Sequence, residues 1–198
     1  MFGILPPATR ALILITSAVY LVQIFTRVPL DIFMLWPLGE NFRPWQVVTY
    51  AFLHSPDSIA HIFFNMFALF MFGRELEHAW GTPRFIVFYF ASVLAAAATQ
   101  LVWTWYTRSP EPTLGASGGI FGLLLAFGMF FPKQRITLLF PPIPMPAWLF
   151  VTLYGLIELV LGVTGTQAGV AHFAHLGGMF GGYLTILIWR LQARARPR

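Results

Sequence analysis

The chain has 198 residues, of which 58% are hydrophobic and 10% charged, against about 25% charged in a soluble domain. Its mean hydropathy of +0.72 points to an integral membrane protein, and a formal net charge of +5 on such a chain is not a nucleic-acid signal. Cysteine is absent, which excludes a disulfide framework and thiol chemistry.

The expected architecture is all-α: one membrane domain over residues 1–198, built as a six-helix bundle. A spanning helix needs about 20 mainly apolar residues, fewer where flanking groups snorkel. The first run is 8–25, bracketed by Pro6-Pro7 and Arg27. Further spans follow it and no small-x-small cleavage site stands behind it, so it reads as a helix rather than a signal peptide. The mixed stretch 26–58 interleaves Pro29, Pro37, Pro44, Trp36 and Trp45 with scattered charges, which suits the lipid–water interface. It is expected to be a partly embedded loop with short helices.

The second run, 59–72, carries His61 and Asn65. The third, 84–106, enters through Gly81-Thr82-Pro83 and ends in an aromatic belt of Trp103, Trp105 and Tyr106. The fourth, 116–131, stops at Pro132. A proline cluster from Pro141 to Pro146 leads into the fifth, 147–163, and the sixth, 170–189, closes at Arg190. With a cytoplasmic N-terminus, Arg10, Arg74, Arg84, Lys133, Arg135, Arg190, Arg194, Arg196 and Arg198 fall inside, and Arg27, Arg43 and Arg108 fall outside. That bias of 9 to 3 predicts cytoplasmic termini and an outer location for residue 117.

The stretch TLGASGGIFG, Thr113 to Gly122, stands out chemically. Ser117 lies among glycines at the entrance of the fourth span. Helix N-termini carry unpaired N–H groups suited to a developing negative charge. Ser117 therefore reads either as a nucleophile or as part of a small-residue packing patch. Ionisable groups inside spans usually mean function. His61 and Asn65, four apart, share a helical face, as do His172 and His175, three apart. Gly118 and Gly122 in the fourth span, and Gly178 and Gly182 in the sixth, have the spacing that lets two helices nearly touch. If those faces meet, a histidine of the sixth span comes within reach of Ser117, as a nucleophile requires. His61 and Asn65 could then direct donors at an oxyanion together with the N–H of Ser117.

These pieces together resemble the rhomboid intramembrane serine proteases in their basic six-helix bacterial form. The matching motifs are His61-Ile-Phe-Phe-Asn65, Gly115-Ala-Ser117-Gly118, and Ala174-His175-Leu-Gly-Gly178 with Gly182. Gly73-x-x-x-Glu77-x-x-x-Gly81 resembles the family's turn after the second span, and Thr49 to His54 the segment leading into it. The resemblance implies a Ser117–His175 dyad with no third acidic member, acting through an acyl-enzyme. It implies oxyanion roles for His61, Asn65 and Ser117, and structural support from Gly115, Gly118, Gly122, Gly178, Gly182 and Phe121. It also implies no cofactor and no metal, single-span membrane proteins as substrates, and a bacterial inner-membrane location. Two positions depart from the pattern. Gln46 stands where the family often has arginine, removing a salt bridge, and Phe121 stands for a tyrosine that packs on the base.

Among the remaining polar groups, His54 and His78 read as interfacial. Glu77 reads as the organiser of its turn, with Arg74 or Arg84 as partner. Glu158 reads as hydrogen-bonded or water-facing, with a protonated form favoured by desolvation as an alternative and gating by the fifth span as a second role. Of the two histidines on one face, the glycine spacing favours His175 as the base, with His172 as the alternative. No H-E-x-x-H pair is present, and Asp31 and Asp57 both lie in outer segments, which excludes metallo- and aspartyl intramembrane proteases. The competing readings are an inactive rhomboid-like binding factor and a small transporter.

Overall fold

A computed structural model describes residues 5–26, 28–137, 142–166 and 169–195. Arg27, Pro141, Arg196 and Arg198, used above for span limits and charge bias, lie outside the described residues.

The protein is mostly helical. Helix α1 spans Pro7–Phe25, with proline in its first turn and no side-chain cap of its own. Its free N–H groups are received by Glu77: Ala8 N donates to Oε1 at 2.9 Å and Thr9 N to Oε2 at 2.7 Å. The hydroxyls of Thr9 and Thr82 also donate to this carboxylate, each at 2.7 Å. A carboxylate suits the positive end of a helix dipole. Glu77 thus ties the start of α1 to the turn at Gly81. Arg74 pairs instead with Glu75 at 2.7 Å, so the expected arginine partner for Glu77 is corrected.

The 26–58 stretch contains three short helical pieces, Asp31–Phe33, α2 at Gln46–Thr49, and Tyr50–Phe52. Gln46 is buried at their centre. Its Oε1 accepts from Trp36 N and Arg43 N, and its Nε2 donates to the carbonyls of Ile32 and Asn41. An uncharged amide therefore organises this stretch where an ion pair is missing. An isolated bridge between Leu35 and Thr113 joins it to the chain just before Ser117.

Helix α3, Ile59–Ala68, starts at Ser58, whose hydroxyl caps His61 N. It does not stop at Phe72. One π turn, Leu69–Gly73, carries it into α4, Arg74–Trp80, so the continuous helical run is Ile59–Trp80. Gly73, which follows Phe72, keeps a helical φ of −62°, Arg74 to Glu77 are good helix formers, and the run ends where Gly81 takes φ +79°. Helix α5 is Thr82–Thr107 and α6 is Ser117–Phe130. A small ribbon pairs β1, Arg135–Thr137, with β2, Pro144–Pro146, a local addition to the all-α plan. Helices α7, Ala147–Thr164, and α8, His172–Ala195, complete the described bundle. Helix α8 continues past Arg190, where the sixth span was expected to close.

Pro7–Phe25, Ile59–Trp80, Thr82–Thr107 and Ala147–Thr164 are long and apolar enough to cross a membrane. Helix α6 is shorter, and it is the central element, with Gly118 through Leu124 all buried. Helices α5, α7 and α8 pack around it. Helix α7 is the least enclosed, burying only Ala147, Val151 and Glu158.

Candidate active site

The site is assembled where α3, α6 and α8 begin and α7 nears its end. Gly115 has φ +128°, a conformation that L side chains rarely adopt. Its N–H donates to the Tyr50 carbonyl at 3.0 Å, and a Cβ there would stand 3.0 Å from His61 Nε2. The turn thus lets the chain pass over His61 and enter α6 at Ser117. Tyr50 anchors it from below, donating its hydroxyl to Val93 O at 2.9 Å. Burial, and then Tyr89, push the Tyr50 phenol well above its ordinary pKa, so it serves as a neutral donor.

Helices α6 and α8 meet backbone to backbone. A Cβ on Gly178 would overlap the Gly118 carbonyl, and one on Gly182 would lie 3.3 Å from Gly122 Cα. The same stretch of α8 presses Gly177 and Gly181 against Ala95 and Thr99 of α5, a second small-residue seam that sequence reading missed. With the helices held this close, His175 Nε2 lies 2.7 Å from Ser117 Oγ. Phe121, one turn after the serine, lies parallel to the His175 ring, with centroids 4.2 Å apart and planes 7° apart.

Of the two histidines on this face, His175 is the one that reaches Ser117. The other, His172, points its Nδ1 at Glu158 Oε2, 2.7 Å away. The same oxygen lies 2.8 Å from His175 Nδ1. The expected absence of an acidic group beside the histidine is therefore corrected: Glu158 of α7 is there. Nothing in the spacing of Glu158 from the serine or histidine motifs signalled this. Glu158, His172 and His175 also form the one group among the described residues able to offer three ligand atoms, within 4.8 Å of one another, to a metal. Their N···O separations of 2.7 and 2.8 Å are those of hydrogen bonds.

His61 is half-buried beside Gly115. The Ser55 N–H approaches its Nδ1 at 3.5 Å, which leaves Nε2 to carry the proton and face the Gly115 side. Asn65 donates one amide hydrogen to His61 O at 2.8 Å and borders a cavity of about 370 Å³. That cavity runs between α3 and α7, with Asn65, Phe64, Ser117, Phe121, Phe150 and Tyr154 among its walls.

His54 does not face its surroundings. Its ring is fully buried against His61, centroids 4.9 Å apart, and neither nitrogen has a partner among the described residues. Burial, and then the neighbouring His61, hold its pKa down at about 3. The ring is thus neutral and supports the back of the His61 imidazole. His78, in contrast, is exposed near the end of α4.

The sequence model of the family described as Rhomboid domain matches residues 41–192. The chain belongs to the rhomboid family. It is similar to Rhomboid protein 1, mitochondrial, of Saccharomyces cerevisiae, with 30% identity over 180 residues, covering 77% of this chain and 48% of that protein. Rhomboid protease AarA of Providencia stuartii is 29% identical over 212 residues, covering 92% and 72%. Rhomboid protease GluP of Bacillus subtilis is 30% identical over 139 residues, covering 70% and 25%. This rhomboid thus spans about half the length of the yeast relative and a quarter of the Bacillus one. Family membership and the apolar helices make it an integral membrane protein.

Proposed function

We propose that this rhomboid is an intramembrane serine protease that cuts transmembrane-helix substrates near the outer membrane face. The observation that carries the reading is the 2.7 Å contact between Ser117 Oγ and His175 Nε2 beside a cavity of about 370 Å³. In the reaction, Oγ attacks the scissile carbonyl and its proton passes to Nε2. The C–N bond breaks, and the leaving amine takes that proton from His175. Water then adds to the acyl-enzyme by the same route, and the acyl–Oγ bond breaks. The N–H of Ser117, His61 Nε2–H and the free amide hydrogen of Asn65 receive the oxyanion.

Substrate enters sideways, between α3 and α7, where the cavity has its walls. The tight contact between α6 and α8 supports entry elsewhere than between those two helices. Six spans are proposed by counting α6 and α8 with the four helices long and apolar enough to cross a membrane. The 9 to 3 arginine and lysine bias supports cytoplasmic termini, and the location proposed is a bacterial inner membrane. Single-span membrane proteins are the proposed substrates. Their helices must unwind at the cut, where freed backbone groups lack partners in lipid, so glycine there lowers the barrier.

The test is labelling of the purified protein with a fluorophosphonate, alongside cleavage of a single-span substrate carrying a Gly pair or a Leu pair near its outer end. The intact chain labels and cuts the Gly form faster, whereas Ser117→Ala does neither. Cleavage by Ser117→Ala overturns the proposal. Absence of both labelling and cleavage in the intact chain favours an inactive rhomboid-like factor.

A further inference from the structure

The serine–histidine reading leaves one buried group without a task. Helix α7 exposes most of its surface, yet its single buried residue beyond Val151 is a carboxylate. Removing such a group from water is costly unless partners receive it. Glu158 has two, His172 Nδ1 at 2.7 Å and His175 Nδ1 at 2.8 Å, both on Oε2.

Resting on the protease reading above, we propose that Glu158 is a positioning residue that converts the pair into a Ser117–His175–Glu158 relay of contacts, with His172 holding the carboxylate in place. The argument is one of protons. An ionised carboxylate can only accept, so two ring nitrogens on one oxygen must each bring a hydrogen. His175 is then protonated at Nδ1, and its only lone pair is at Nε2, facing Ser117 Oγ at 2.7 Å. That tautomer is the one a base needs. When the serine proton arrives at Nε2, the resulting imidazolium stands 2.8 Å from a negative oxygen instead of in apolar surroundings.

The ring has little freedom to choose otherwise. Phe121 covers one face at 4.2 Å, while Oγ and Oε2 hold its two nitrogens. His172 sits one turn before His175 on α8, so both grip the same oxygen from one helical face. The other titratable groups around the cluster are Tyr154, one turn before Glu158 on α7, and His61 on α3; neither bonds the carboxylate.

The test uses the full-length protein in detergent, with substrate cleavage and fluorophosphonate labelling read together. Glu158→Gln preserves shape but cannot balance an imidazolium. It is expected to lower kcat by about 100-fold or more with KM nearly unchanged, and to slow labelling of Ser117 in parallel. His172→Ala, which leaves His175 its carboxylate, loses less than Glu158→Gln. Full kcat and labelling in Glu158→Gln overturn the proposal and reduce Glu158 to a tie between α7 and α8. Nitrogen NMR of 15N-histidine in the unaltered chain decides the matter without any variant: His175 protonated at Nδ1 supports the assignment, and protonation at Nε2 overturns it. Ser117→Ala separates the two readings, since cleavage by that variant refutes the protease itself whatever Glu158 does.

Discussion

Gly178 of α8 lies so close to Gly118 of α6 that a methyl group on the first would occupy the carbonyl oxygen of the second. Three residues before Gly178, His175 reaches Ser117, and Ser117 adjoins Gly118. The helix contact and the Ser–His contact are therefore one geometric fact. Overpacking typically costs about 1–3 kcal/mol, and more where the obstacle is backbone. Gly178→Ala is expected to lower the thermal unfolding temperature and to abolish fluorophosphonate labelling. Gly155→Ala is the control, because its Cβ would meet only the flexible end of Met179 at 3.4 Å. Equal labelling in both variants would show that α6 and α8 can separate without loss.

Asn65 spends one amide hydrogen on His61 O and keeps the other beside the cavity. An oxyanion donor acts mainly in the transition state. Asn65→Ala is therefore expected to reduce kcat by about 100-fold or more, with a smaller change in KM. Steady-state cleavage of a single-span substrate checks this. A raised KM with kcat intact would assign Asn65 to binding instead.

Glu77 works at the opposite end of the molecule from Ser117. Its carboxylate receives four donors from Ala8, Thr9 and Thr82. Glu77→Ala leaves those donors without an acceptor, at a cost of about 3 kcal/mol. The expected outcome is a large drop in unfolding temperature, with labelling per folded molecule unchanged. A variant as stable as the parent would mean that water replaces the carboxylate at no cost.

His54 sets a pH dependence. Its pKa is held at about 3 in the fold, against about 6.5 in an unfolded chain. The unfolded state therefore binds the extra proton between these values. The contribution to stability is fully present above pH 6.5 and is lost as pH falls toward 3. His54→Phe removes both the titration and two unpartnered nitrogens, so its stability is expected to fall less steeply over that window. Unfolding followed at pH 7, 6, 5 and 4 compares the two slopes, and identical slopes would remove His54 from the account.

Much of this protein is legible in its residues taken one at a time or at helical spacing. Apolar runs bounded by arginine and proline mark helices, because hydrocarbon excludes charge and proline cannot continue a helix. The pairs Gly118–Gly122 and Gly178–Gly182 announce close helix faces, because residues four apart line up on one side. The same periodicity cannot decide what those faces meet. It puts His172 and His175 on one face, and only the approach of α6 selects His175 for Ser117. It cannot foresee that Glu158, on a separate helix, turns inward to both histidines. Nor can it give Glu77 the first turn of α1 in place of an arginine, or bury His54 behind His61. Those partners lie far apart along the chain, and a buried polar group takes whichever partner the packed helices bring within about 3 Å, which is a property of the assembled fold rather than of any one segment.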